Sequence, residues 1–135
     1  AHLMSAAMMG ATAFQKGLGA IHAISHPIGA IYNTHHGTTN AVIMLDVLDF
    51  NRSKIEDQIN IATNYLGIEG GFTGFKNFIE GLCRDLNIPK TLSELGVKNP
   101  NIDLITDIAM RDPSVGANPV KMTKENTKEL IETLF

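Results

Sequence analysis

The chain has 135 residues and a mass of 14.6 kDa, enough for one domain that buries roughly 68% of its unfolded surface. Its 44% apolar and 19% charged content excludes a disordered tail or a collagen-like repeat, and the single Cys83 excludes an internally disulfide-stapled scaffold. With 11 Lys and Arg against 14 Asp and Glu, the chain lacks the basic footprint of a nucleic-acid or anionic-membrane partner.

The charges are uneven. Residues 1–50 hold only Lys16, Asp46 and Asp49, while all five histidines lie in that part. From Gly17 to Leu45 no residue is charged. Four histidines, Pro27, Asn33 and Asn40 interrupt that run, and a membrane core would have to solvate them all, so a spanning segment is not expected. No signal peptide is visible, and an unpaired cysteine in an apolar stretch fits a reducing compartment, so the expected location is cytoplasmic. A start at Ala1 rather than Met suggests a processed product or a piece of a longer protein.

In chain order, Leu3, Met4, Ala7, Met8, Ala11 and Phe14 recur at helical spacing on a segment that is apolar or small nearly all round, which predicts a buried helix over residues 2–16. Ala20 to Ile31 reads as helix with a kink or break near Pro27. Thr38 through Leu48 reads as a central helix, capped by Thr38 or Thr39. A separate helix is expected after Asn51, with capping-box spacing from Ser53 to Glu56, apolar Ile55, Ile59, Ala62 and Leu66, and Gly67 as its stop. Phe75, Phe78, Ile79, Leu82 and Leu86 trace the next helix, ending near Asn87 and Pro89. Thr91 to Glu94 repeats the capping-box spacing for a short turn. Ile102, Leu104, Ile105, Ile108 and Ala109 form a further helix, Asp112 to Val120 a loop, and Thr123 caps a last helix carrying Leu130, Ile131 and Leu134. Seven or so helices without a period-2 run predict an all-α class.

The chemistry concentrates in His22, His26, His35 and His36, four neutral ligand candidates in charge-free surroundings. His22 and His26, four apart on a helix, share a face and could share an ion. His22 and His36 would lie about 21 Å apart on one unbroken helix, so they meet only if the chain turns between them; Pro27, Gly29, Asn33 and Gly37 offer that turn. The alternative is a hydrogen-bonded core pair with no ligand. No carboxylate occurs near these histidines before Asp46, so four protein ligands for a closed site are not evident.

Other motifs fail sooner. Gly17-Leu18-Gly19 has His22 at the third glycine position of a dinucleotide fingerprint and no strand before it. Gly67, Gly70, Gly71 and Gly74 read as turn residues. Cys83 reads as a small apolar side chain rather than a nucleophile, and the methionines as core filler.

The run from Gly17 to Gly37, GLGAIHAISHPIGAIYNTHHG, resembles the histidine-bearing signature of the iron-containing (group III) alcohol dehydrogenase family. Asn40-Ala41-Val42 and Ala117-Asn118-Pro119 are similar to the family as well, so the resemblance covers essentially the whole chain. It implies that residues 1–135 are a single helical metal-binding C-terminal domain of the dehydroquinate synthase-like, iron-type alcohol dehydrogenase fold. Family members place an α/β nucleotide-binding domain before it, and that half is absent here. By position the resemblance implies His22 and His36 as metal ligands and His26 as the active-site histidine beside the metal, overriding the His22/His26 pairing that spacing alone suggests. The family's other two ligands, an Asp and a His four residues later, have no Asp-x-x-x-His counterpart here, and His35 stands where many members have Pro.

The implied cofactors are a divalent metal, Fe²⁺ first with Zn²⁺ or another as alternatives, and NAD or NADP bound mainly by the absent domain. The implied reaction interconverts small alcohols with aldehydes or ketones by metal-assisted hydride transfer. A homo-oligomer is expected for the full-length protein, and no catalysis from these 135 residues alone. The competing reading is a free-standing helical metal-binding or assembly module.

Overall fold

The computed structural model describes all of residues 1–135. It contains six α-helices, α1 (His2–Ala13), α2 (Ala20–Tyr32), α3 (His36–Leu66), α4 (Gly71–Asp85), α5 (Ile102–Ala109) and α6 (Lys124–Thr133), with 3₁₀ turns at Phe14–Lys16 and Pro113–Ala117 and no strand. The all-α expectation holds.

The core is built where apolar stripes meet. Ala23, Ile24 and Ile28 of α2, Val42, Ile43 and Val47 of α3, Ile105 and Ala109 of α5, and Leu130, Ile131 and Leu134 at the end of the chain pack into one cluster with Leu92, Val97 and Met122. Each fully buried Ile or Leu in it contributes roughly 1.5–3 kcal/mol. Helix α2 lies at the centre, touching α3, α5 and the Pro113–Ala117 turn, so the helix that carries His22 and His26 is fixed from three sides.

Several boundaries differ from the sequence reading. The apolar segment 2–16 is helical as expected but not buried: no residue of α1 is, and Leu3 is 87% and Met8 67% exposed. Apolar composition expresses a need for a partner surface, and the main packing partner of α1 is the turn that follows it.

Pro27 does not break α2, which runs through to Asn33 in a left-handed cap. Proline removes one N–H, and the remaining bonds and the buried faces of Ile24 and Ile28 hold the helix together. Helix α3 starts two residues before Thr38 and is capped by the His35 side chain, which accepts from the Thr38 N–H.

The two helices expected over 38–66 are one helix of 31 residues. Nothing from Asp49 to Ser53 forbids helix, and Arg52 pairs with Glu56 one turn on, so the Ser53 box has no free N–H groups to cap. The loop expected at 112–120 contains the Pro113–Ala117 turn, capped by Asp112.

Other signals are present as read. Gly67 ends α3 in the left-handed region. Glu94 N–H donates to Thr91 Oγ1 while the Glu94 carboxylate accepts from the Lys90 N–H. Thr123 and Asn126 form a reciprocal capping box. Gly74 is imposed by packing, since a Cβ there would lie 1.8 Å from the Glu69 carbonyl oxygen.

Candidate metal centre

The turn between α2 and α3 brings three of the four candidate histidines together. The His22 and His36 rings are 5.3 Å apart between centroids, His26 and His36 are 5.6 Å apart and stacked, and His22 and His26 are 5.7 Å apart. The turn is tight because Asn33 takes the left-handed conformation at the end of α2 and His35 opens α3 two residues later. The 14-residue separation of His22 and His36 is thereby cancelled. His35 itself is occupied as the α3 cap, with Nδ1 on Thr38, and His2 lies on exposed α1.

The ring nitrogens divide by role. Asn40, one turn after His36, places Nδ2 3.1 Å from His36 Nε2 and 3.4 Å from His22 Nε2. Both imidazoles therefore present a bare Nε2 to one amide donor, while Asn40 Oδ1 is buried with no partner. Two neutral imidazole lone pairs aimed at one point, beside an orphaned carbonyl oxygen, form a donor set that suits a divalent cation in the place of the amide hydrogens. His26 is turned elsewhere: its Nδ1 lies 2.7 Å from Asp112 Oδ2. In the neutral ring Nδ1–H donates to the carboxylate, leaving Nε2 bare.

Electrostatics reinforces that division. The His22 pKa is lowered, first by burial and then by the neighbouring His36 and His26, with Asp112 opposing; His22 is thus held in the neutral form that ligates. Burial alone would raise the Asp112 carboxyl, but hydrogen bonds from Ser114 and His26 outweigh it and hold the pKa below the ordinary value. Asp112 therefore stays ionised beside His26. Phe14 stands edge-on to the His22 ring at 6.5 Å, shielding it on one side.

No group of three or more His, Cys, Asp or Glu side chains is disposed to hold a metal ion by itself; the convergent donors are the two imidazoles of His22 and His36. A groove of about 740 Å³ lies elsewhere, along α3, α4 and the chain after α4, and none of its lining residues is a histidine. Cys83 borders it, with its thiol pushed up by burial, which suits an inert side chain. Asn40 and Asp112 are the site residues that sequence reasoning missed. The i, i+4 spacing of His36 and Asn40 was the available signal for the first; nothing local ties Asp112 to His26, 86 residues away.

The fold defines an all-helical domain with two imidazoles converging at the α2–α3 turn, and the comparisons with known proteins supply its family. The description "Fe-containing alcohol dehydrogenase family, C-terminal" matches residues 1–135, and the chain belongs to that family. It is 32% identical over 126 residues to lactaldehyde reductase of Escherichia coli K12, covering 88% of this chain and 33% of that protein. It is 31% identical over 140 residues to 4-hydroxybutyrate dehydrogenase of Cupriavidus necator, covering 97% and 36%. In structure it is similar to a 1,3-propanediol oxidoreductase, with a TM-score of 0.79 at 26% identity over 87% of this chain and 33% of that one. The chain thus spans about a third of the length of the curated relatives it matches. No helix is long and apolar enough to cross a membrane.

Proposed function

We propose that residues 1–135 are the single helical, metal-bearing domain of an NAD(P)-dependent dehydrogenase that interconverts small alcohols with aldehydes or ketones. The observation that carries this reading is the convergence of His22 Nε2 and His36 Nε2 on one point, beside the unpartnered Asn40 Oδ1, in a chain of this family. His22 and His36 would hold a divalent metal, Fe²⁺ in the first instance and Zn²⁺ or another ion in its place. Bound there, the metal supplies Lewis acidity that stabilises negative charge on a substrate oxygen.

The residues of this chain do the rest. Burial keeps His22 neutral, and the turn at Asn33–His35 holds His36 against it. His26 is the proton-handling group: with Nδ1–H donated to Asp112, its bare Nε2 can take up a proton from a reacting hydroxyl, and ionised Asp112 stabilises the imidazolium that results. Helix α2 itself carries no charged side chain beside the array.

The nucleotide and the remaining ligands belong to protein outside these residues, so the 135-residue chain does not turn over alone. The full-length enzyme is read as a cytoplasmic homo-oligomer. The test is oxidation of short-chain alcohols with NAD⁺ and NADP⁺ by the full-length protein reconstituted with Fe²⁺. Activity lost in His22→Ala and His36→Ala together with metal content supports the reading. Undiminished activity and metal content in both variants contradict it.

A further inference from the structure

The most completely bonded polar cluster outside the histidine array is a pair of side-chain amides at the start of α2. Asn118 Oδ1 accepts from the Ala20 N–H and from Asn51 Nδ2, both at 3.0 Å. Asn118 Nδ2 donates to Asn51 Oδ1 at 2.8 Å and to the Val120 carbonyl at 2.7 Å. Asn51 Oδ1 accepts in addition from the Val120 N–H at 3.3 Å. An amide has two acceptor and two donor positions, so Asn118 is saturated.

The position of this pair matters. Helix α2 begins after Gly19, whose lack of a side chain leaves the first turn without a cap of its own. Asn118 supplies the cap from 98 residues away and ties it to Asn51 on α3, the helix that carries His36. Gly19 is required by the close approach: a Cβ there would stand 2.7 Å from Asn118 Oδ1. At the other end of the same segment Asp112 holds the His26 ring. The 3₁₀ turn Pro113–Ala117 joins the two and itself packs on α2.

We propose that residues 112–118 form a clamp that sets how α2 presents its histidines to α3, with Asn118 the positioning residue for the His22–His36 pair and Asp112 for the His26 ring. That purpose rests on the metal-centre reading, whereas the geometric claim does not. An unclamped α2 keeps His22 and His26 at their own spacing, since both ride on one helix, but loses one of the three contacts that fix it relative to α3 and His36. Asn118 thus acts through the helix and touches no reacting atom.

The test is made on the 135-residue chain with Asn118→Ala and with Gly19→Ala. The second variant leaves every amide in place and displaces Asn118 with a methyl group, at a backbone angle of φ −132 that alanine adopts without strain. A core variant distant in sequence from the clamp, Ile131→Val, controls for lost stability. The readouts are ring-proton nuclear Overhauser contacts among the imidazoles and the affinity for Co²⁺.

Both clamp variants are expected to weaken the His22–His36 contact, keep the His22–His26 contact, and lose about tenfold in Co²⁺ affinity, the scale seen when an outer partner of a metal ligand is removed. Ile131→Val is expected to change neither. His22–His36 contacts of wild-type strength in a folded Asn118→Ala or Gly19→Ala chain overturn the proposal. If Asn118→Ala does not fold, Gly19→Ala alone decides. Absence of Co²⁺ binding by the wild-type chain, with the contact pattern as expected, contradicts the metal-centre reading and leaves the clamp standing.

Discussion

Helices α1 and α2 are alike in sequence and opposite in fate. Both are apolar, both lack charged residues, and each is 12 or 13 residues long. Helix α2 buries six residues, among them Ile24 and Ile28 at zero exposure; α1 buries none and holds Met4 79% and Met9 69% in solvent. The difference lies in the partners. Glycines and an asparagine turn fold α2 back against α3, whereas α1 packs mainly on the 3₁₀ turn after it, whose Phe14 meets His22 edge-on. An apolar stripe states that a helix needs cover, and topology decides whether the same chain provides it.

That contrast can be broken first by equivalent truncations in the two helices. Ile24→Ala should cost about 2–5 kcal/mol, whereas Met8→Ala in α1 should stay within about 0.5 kcal/mol. Urea unfolding of both variants checks this, and equal losses would show that α1 packs after all.

The next effect falls on metal binding without comparable loss of fold. His36→Ala should reduce affinity for a divalent cation by at least the roughly tenfold that loss of an outer partner costs, while His35→Ala should leave it unchanged, as isothermal titration with Zn²⁺ would measure. Binding should also weaken as pH falls through the imidazole range, because protons compete for the same nitrogens.

A smaller effect concerns Asp112. Its carboxyl is held below its ordinary pKa in the folded chain. Its ionised form therefore adds stability that is present above the unfolded value and lost as pH falls through the folded one. Asp112→Asn should flatten the fall in Tm below about pH 4, which scanning calorimetry across pH 2–5 would detect; an unchanged acid limb would remove Asp112 from the account.

The smallest change in Tm is expected from deleting residues 1–13: a shift within about 2 °C, since no buried apolar surface is lost. The same deletion should lower binding of a dye specific for exposed apolar surface. A large drop in Tm would overturn the contrast from which these tests start.

The sequence made the helical class legible because most stripes were unambiguous, as in Phe75–Leu86 and Ile102–Ala109, and because Gly67 and Thr123 are strong punctuation. Asn51 and Ser53 misled, since a capping box is only a spacing until its N–H groups are known to be free. Of the candidate site, the histidines were visible because four of them cluster in a run without charged residues. The long-range contacts of α2 were invisible for a physical reason: Asp112 reaches His26 across 86 residues and Asn118 reaches the Ala20 N–H across 98, and no local pattern encodes such a contact. His35 reads as a candidate ligand in sequence and acts as a helix cap in the fold, a role that becomes apparent only once the start of α3 is placed.

The most direct test of the central claim is a titration of the 135-residue chain with Zn²⁺, followed by imidazole ¹H–¹⁵N correlation spectra. The account predicts that the Nε2 signals of His22 and His36 shift together and before those of His2 and His35. Zinc-dependent shifts confined to His2 or His35, or none at His22 and His36, would contradict it.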